Sequence, residues 1–124
     1  MTSFYKLEAS GNDFVIFIDV DYKTINVSKL ANRNYGIGAD GIIFIDSFYN
    51  VKIFNADGSD ALMCGNGMRC LCKLLSFLTN SNEHLVYINN REISLTKVND
   101  DEYRVEMPVP FFVKKEDGYF YNFL

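Results

Sequence analysis

The chain has 124 residues, 48% hydrophobic and 23% charged, which suits one compact domain with a real core. Its formal net charge of −4, with no block of Lys or Arg, argues against a nucleic-acid or anionic-membrane surface, since such binding needs clustered basic side chains. No signal-peptide pattern opens the chain and no apolar run approaches the roughly 20 residues of a bilayer span, so a cytoplasmic protein is expected. Three cysteines, Cys64, Cys70 and Cys72, crowd one segment. An odd, clustered set makes a poor disulfide framework, and reduced thiols are the better reading.

In chain order, Phe4 to Glu8 alternates and reads as a short strand, and Ser10-Gly11-Asn12-Asp13 reads as a turn. Phe14 to Ile18 is an apolar, β-rich run expected to be buried on both faces. Asn26 can cap a helix over about 27–34, with Val27, Leu30 and Ala31 facing inward. Gly36, Gly38 and Gly41 punctuate a tight loop, and strands follow at Ile42 to Ile45 and Val51 to Phe54. Asn55 to Asp60 has turn chemistry at every position. A helix then starts near Cys64 or Gly65 and runs to about Leu78, apolar over so much of its circumference that it should lie inside the protein.

Beyond Asn80-Ser81-Asn82 the period switches to two. Leu85 to Ile88, Glu92 to Lys97 and Tyr103 to Met107 read as antiparallel strands with turns at Asn89-Asn90 and Asn99-Asp100-Asp101, ended by Pro108 and Pro110. Together these elements predict one α+β domain over 1–124, an antiparallel or mixed sheet wrapped around a central buried helix. Gly118 to Leu124 reads as a further aromatic strand cut at its last residue, which predicts a continuation elsewhere.

Gly36-Ile37-Gly38-Ala39-Asp40-Gly41 formally matches G-x-G-x-x-G. A dinucleotide site needs a strand before the glycines and a helix after them, whereas here the order is reversed. A helix-to-strand turn with positive φ angles is the expected reading. Cys64-x5-Cys70-x-Cys72 lacks the paired spacing of zinc ligands, and His84 sits in what reads as a polar turn, so no metal is expected and His84 is assigned to the surface.

Cys64-Gly65-Asn66-Gly67 is more informative. A cysteine followed by Gly-Asn-Gly and an apolar helix puts a thiol where unpaired N–H groups and the positive end of the helix dipole favour a thiolate. Two glycines allow close backbone approach to a ligand carboxylate. Gly67 in a helix start costs about 1 kcal/mol relative to Ala, so a packing or functional reason is expected. Chemistry alone leaves Cys64 open between a functional thiol and a buried structural one, while Cys70 and Cys72, within the helix body, read as structural.

Ser10-Gly11-Asn12-Asp13-Phe14-Val15, the glycine-rich turn through Gly41, Asn55-Ala56-Asp57-Gly58-Ser59, and Met63-Cys64-Gly65-Asn66-Gly67-Met68-Arg69-Cys70 together resemble the signatures of the diaminopimelate epimerase family. The resemblance spans the chain but only the N-terminal half of the family pattern. Proline racemases share the cysteine logic without this combination. The resemblance implies one of the two similar domains of that fold. It also implies an enzyme of lysine and peptidoglycan-precursor biosynthesis that interconverts LL- and meso-2,6-diaminopimelate without pyridoxal phosphate or metal. One cysteine, as thiolate, removes the α-proton and the other, as thiol, protonates the opposite face. Cys64 matches one of them, and Asn12, Asn55, Gly65 and Asn66 match positions holding the substrate's amino and carboxylate groups. A further polar position in the glycine-rich turn, where the family can carry glutamine, is Gly41 here, so that contact is absent or made otherwise.

Helix geometry places Cys70 about 9 Å and Cys72 about 12 Å farther along the axis than Cys64. Neither can face Cys64 across one carbon atom. The second thiol is therefore expected from a C-terminal half or partner chain, with this chain nearly inactive alone; a homodimer is compatible with this. A racemase of another amino acid and a non-catalytic remnant of the family are the alternative readings.

Overall fold

A computed structural model describes residues 3–61 and 64–106 of the chain. The expected strand at 118–124 and the stop at Pro108 and Pro110 lie outside the described residues. Within them, β1 (Tyr5–Ala9), β2 (Asn12–Ile18), β3 (Gly41–Ile45), β4 (Val51–Asn55) and β5 (Asp60–Ala61) form one sheet in that order. A second sheet holds β6 (Glu83–Ile88), β7 (Arg91–Asn99) and β8 (Glu102–Glu106). The two helices among the described residues are α1 (Val27–Ala31) and α2 (Gly65–Thr79), with a short 3₁₀ turn at Tyr22–Thr24. This is the α+β fold that the pattern of elements predicts, and the first sheet is mixed. Its β2–β3 pair is parallel, with Phe14 beside Gly41, and its other pairs are antiparallel.

The apolar run of β2 is buried on both faces, as its continuous hydrophobicity implies. Phe14 and Ile16 join Ile43, Ile53, Met68, Leu71, Val86 and Leu95 in a core between both sheets and α2. Val15 and Phe17 point the other way, into a smaller core with Val27, Ala31, Ile42 and Phe44. Alternation along a strand thus feeds two cores from one segment. The sheets meet where the Tyr87 N–H donates to the Tyr49 carbonyl at 2.9 Å.

Three local differences from the sequence reading have physical causes. Helix α1 stops at Ala31 rather than near Asn34, because Asn32 turns extended and its side chain accepts from the Asn34 and Tyr35 N–H groups. Asp60, expected within a turn, begins β5 and pairs with Phe54 while its carboxylate meets Lys52 at 3.3 Å.

His84 is not a surface residue. It faces inward on β6 with Val86 and Ile88, and its Nε2 stands 3.1 Å from Ser76 Oγ and 2.9 Å from the Ser81 carbonyl. The strand begins two residues earlier than its apolar alternation, so His84 takes an inward position that its polarity hides. Helix α2 is buried over most of its circumference, as its apolar spread implies. Gly67, Met68, Cys70, Leu71, Cys72, Leu74, Leu75 and Ser76 are buried, and Lys73 and Phe77, one turn apart, lie on the exposed strip.

Candidate active site at the start of helix α2

Cys64 is the N-cap residue of α2. Its backbone is extended (φ −133°, ψ 118°), its carbonyl accepts from the Met68 N–H at 2.9 Å, and its Sγ accepts from the Gly67 N–H at 3.4 Å. The sulfur therefore takes the place that a serine or aspartate oxygen usually holds at a helix start. The Gly65 and Asn66 N–H groups have no partner among the described residues, so two donors remain on the exposed side of the cap.

The two glycines have different reasons. A Cβ on Gly67 would stand 3.2 Å from Ile43 Cδ1 and 3.3 Å from Phe14 Cε1, so Gly67 lets α2 lie close on the first sheet. A Cβ on Gly65 would meet nothing within 4 Å. Packing explains the first glycine and leaves the second free for another role.

The β1–β2 turn reaches this helix start. Ser10 and Gly11 both have positive φ, the two-residue turn that matches strand twist, and it places Asn12 at the head of β2. Asn66 Nδ2 donates to Asn12 Oδ1 at 2.6 Å. Arg69, one turn along α2, donates from Nη1 to Asn66 Oδ1 at 3.1 Å and from Nη2 to Ser10 Oγ at 2.8 Å. On the other side, Asn12 Nδ2 donates to Asp40 Oδ2 at 3.3 Å, and the same oxygen accepts from the Asp13 N–H at 3.0 Å.

Arg33 closes the arrangement, donating to both Asp13 carboxylate oxygens at 3.1 and 2.8 Å and to Asp40 at 3.1 Å. The hydrogen-bonded Arg33 guanidinium holds the Asp13 carboxyl well below the usual carboxylate range, against the opposing effect of burial. The glycine-rich loop supplies Asp40 through the positive φ of Gly38, and runs from α1 into β3 in the order read from the sequence.

The structure thus joins Cys64, Gly65, Asn66 and Asn12 at one helix start. Asn55 stands at the end of β4 in register with Gly41, and its Nδ2 donates to Ser59 Oγ at 3.0 Å rather than to the Asn12–Asn66 pair. Gly41 itself is close-packed. A Cβ there would lie 2.8 Å from Phe14 Cε1, so a longer residue requires that ring to move. The remaining thiols face the core. Burial pushes Cys70 up to about 11 and raises Cys72 as well, holding both as thiols near neutral pH.

Sequence reasoning did not single out Ser10, Asp13, Arg33, Asp40 or Arg69 as parts of the site. The Asn66–Arg69 contact was available from its i,i+3 spacing. The Arg33–Asp13 pair spans 20 positions and has no local signal. Among the described residues no three His, Cys, Asp or Glu side chains group as a metal site, and no helix is long and apolar enough to cross a membrane. A groove of about 470 Å³, lined by Ile25, Asn26, Lys29, Tyr35 and Ile37, lies beside α1 and away from Cys64.

Two solved structures share this arrangement of sheets and helix, which defines the class of fold. They are PhzF-family phenazine biosynthesis proteins from Bacillus anthracis and Enterococcus faecalis. The first has a TM-score of 0.55 at 15% identity, covering 86% of this chain and 38% of the other. The second has a TM-score of 0.56 at 13% identity, covering 81% and 41%. At such identity the likeness is one of fold.

Residues 4–113 match the diaminopimelate epimerase family, and the chain belongs to that family. Diaminopimelate epimerase of Prochlorococcus marinus strain NATL1A is 44% identical over 95 residues, 65% of this chain and 32% of that protein. The Rippkaea orientalis diaminopimelate epimerase is 34% identical over 127 residues, covering 91% and 45%. The chloroplastic diaminopimelate epimerase of Oryza sativa subsp. japonica is 40% identical over 87 residues, covering 62% and 25%. The chain spans less than half the length of each of these relatives.

Proposed function

We propose that this chain supplies the N-terminal half of a cytoplasmic diaminopimelate epimerase site, with Cys64 as one of two proton-transfer thiols. The observation that carries this reading is the N-cap position of Cys64, beside the Asn12–Asn66 pair and N–H donors that have no partner among the described residues. In this reading Cys64 and a second thiol flank the substrate α-carbon. One, as thiolate, takes the α-proton; the electron pair of the broken C–H bond is held at the α-carbon and its carboxylate. The other, as thiol, gives its proton to the opposite face, so the two cysteines exchange protonation states in each turnover.

An amino acid's α-proton is very weakly acidic, so the carbanion-like transition state needs fixed donors where charge develops. The Gly65 and Asn66 N–H groups supply such donors for the substrate carboxylate, and the open space at Gly65 admits it. Asn12 and Asn66 hold the substrate's polar groups from the sheet side, and Asn55 contributes from the end of β4 if its contact with Ser59 gives way.

Cys70 and Cys72 are buried, and their distance along the helix keeps both from facing Cys64. The reading therefore assigns the second thiol to a C-terminal half, on a continuing or separate chain. Meso- and LL-diaminopimelate would be interconverted for lysine and peptidoglycan-precursor synthesis, with the reaction carried by thiols alone.

The test mixes this chain with a C-terminal half from a relative and follows solvent deuterium entering the α-carbon of diaminopimelate. Exchange that needs both halves and is lost with Cys64→Ser supports the reading. Exchange surviving Cys64→Ser overturns the role of Cys64, and high activity of this chain alone overturns the two-half account. Faster turnover of a simple amino acid than of diaminopimelate would replace the substrate, and wild-type halves that associate without exchange would indicate a non-catalytic member of the family.

A further inference from the structure

Four side chains form one line of hydrogen bonds across the helix start: Arg69, Asn66, Asn12 and Asp40. Its two ends differ in kind. A guanidinium only donates, and an ionised carboxylate only accepts. With Arg69 at one end, Asn66 must turn its oxygen toward the guanidinium and its NH₂ toward Asn12. Asn12 then receives that bond on its oxygen and turns its own NH₂ toward Asp40. Flipping either amide would set an NH₂ against a guanidinium, an oxygen against a carboxylate, or two like groups against each other. The direction of both amides is therefore fixed from outside the pair.

We infer that Arg69 and Asp40 are positioning residues that set the direction of the Asn12–Asn66 amide pair, so that each amide keeps one N–H free for a substrate oxygen. The inference rests on the proposed function for its ligand, but the direction itself belongs to the ligand-free chain. Each amide has two N–H donors and spends one within the line, on Asn12 from Asn66 and on Asp40 from Asn12. The oxygens are already engaged, by Arg69 and by Asn66.

Both ends are themselves anchored. Arg69 also holds Ser10 in the left-handed turn between β1 and β2, at 2.8 Å, so the same guanidinium ties the turn carrying Asn12 to the helix carrying Asn66. Asp40 is held by Arg33 and by the Asp13 N–H, and reciprocally its own N–H donates to the Asp13 carbonyl at 2.9 Å and the Asp13 carboxylate at 3.0 Å. Neither end can swing to follow a flipped amide without breaking a second bond. Neither touches the reacting atoms in this arrangement; they act through the asparagines.

The experiment has two readouts. In the isotope-labelled chain, cross-hydrogen-bond scalar coupling should run from Asn66 Nδ2 to the Asn12 side-chain carbonyl. It should weaken in Arg69→Met and vanish when Asp40→Asn is added, while backbone resonances of β2, β3 and β4 stay in place, and Arg69→Lys should restore part of it. Coupling in the opposite direction, no coupling in the wild type, or coupling unchanged by Arg69→Met would overturn the inference.

In the enzyme assembled with a C-terminal half, Arg69→Met should raise KM by about tenfold or more, with kcat changed less. Asp40→Asn should act in the same sense. An unchanged KM would overturn the positioning role. Failure of the functional reading shows separately, as absent α-proton exchange in the wild type, while the coupling in the chain alone still reports the direction of the amides.

Discussion

The two ends of helix α2 are built on opposite plans. At its C-terminal end Asn80 adopts the left-handed conformation (φ 59°) and returns its N–H to the Ser76 carbonyl at 3.0 Å, while Thr79 Oγ1 donates to the Leu75 carbonyl. Ser76 is buried against His84. The left-handed residue and the threonine hydroxyl there engage the Ser76 and Leu75 carbonyls, the usual way a chain closes its own helix end. At the N-terminal end a cysteine replaces the oxygen cap, and among the described residues a Cβ on Gly65 would meet nothing within 4 Å and the Gly65 and Asn66 N–H groups have no partner. One end is finished by the chain itself. The other keeps two N–H donors open among the described residues, and the proposed site is built on that difference.

The largest expected effect breaks the contrast at the open end. Cys64→Ser, assembled with a C-terminal half, should slow α-proton exchange by about 10²–10⁴-fold, the range of a lost general acid or base. Cys70→Ala should keep exchange and instead lower the melting temperature, because that thiol only fills the core.

Next come the two glycines of the cap. Gly67→Ala should cost about 1–3 kcal/mol in urea unfolding through overpacking on Ile43 and Phe14. Gly65→Ala should leave stability within about 0.5 kcal/mol yet weaken diaminopimelate binding, read by calorimetry on the assembled halves. Equal destabilisation by both would erase the distinction between a packed and a functional glycine. At the closed end Asn80→Ala should cost about 1 kcal/mol, since alanine resists the left-handed conformation, while Asn80→Gly should be close to neutral.

The smallest effect is one of pH. Burial holds His84 below the ordinary 6.5, so the unfolded chain binds that proton more readily than the folded one. Stability should be full above about pH 6.5 and fall as the pH drops through the folded value, and His84→Gln should flatten this step in urea titrations. Asp13, held low by Arg33, acts in the same direction at lower pH, with its contribution lost below about pH 3.8.

Much of this contrast was legible in the sequence, because local rules govern it. Period-two and period-3.6 patterns gave the strands and α2 nearly to their ends, and Cys-Gly-Asn-Gly before an apolar run marked the open cap. His84 escaped because one polar residue at the start of β6 resembles the turn before it, and only its tertiary partners Ser76 and Ser81 reveal that it is inside. The shortening of α1 depended on which backbone groups Asn32 captured, which composition does not specify. The site itself divided in the same way. Cys64, Gly65 and Asn66 are neighbours in sequence, whereas Asn12 reaches Asn66 across 54 positions and Arg33 reaches Asp13 across 20. Those pairings follow from the parallel placement of β2 beside β3 and the seating of α2 on that sheet, which no single segment encodes.

The most direct test of the open-end account is timed alkylation of the native chain with iodoacetamide, read by peptide mass spectrometry. Cys64 alone should be modified while the fold persists, with Cys70 and Cys72 reacting only on unfolding, and diaminopimelate should slow the reaction at Cys64 in the assembled halves. Modification of Cys70 or Cys72 as fast as Cys64, or a Cys64 as inert as its buried neighbours, would contradict the account.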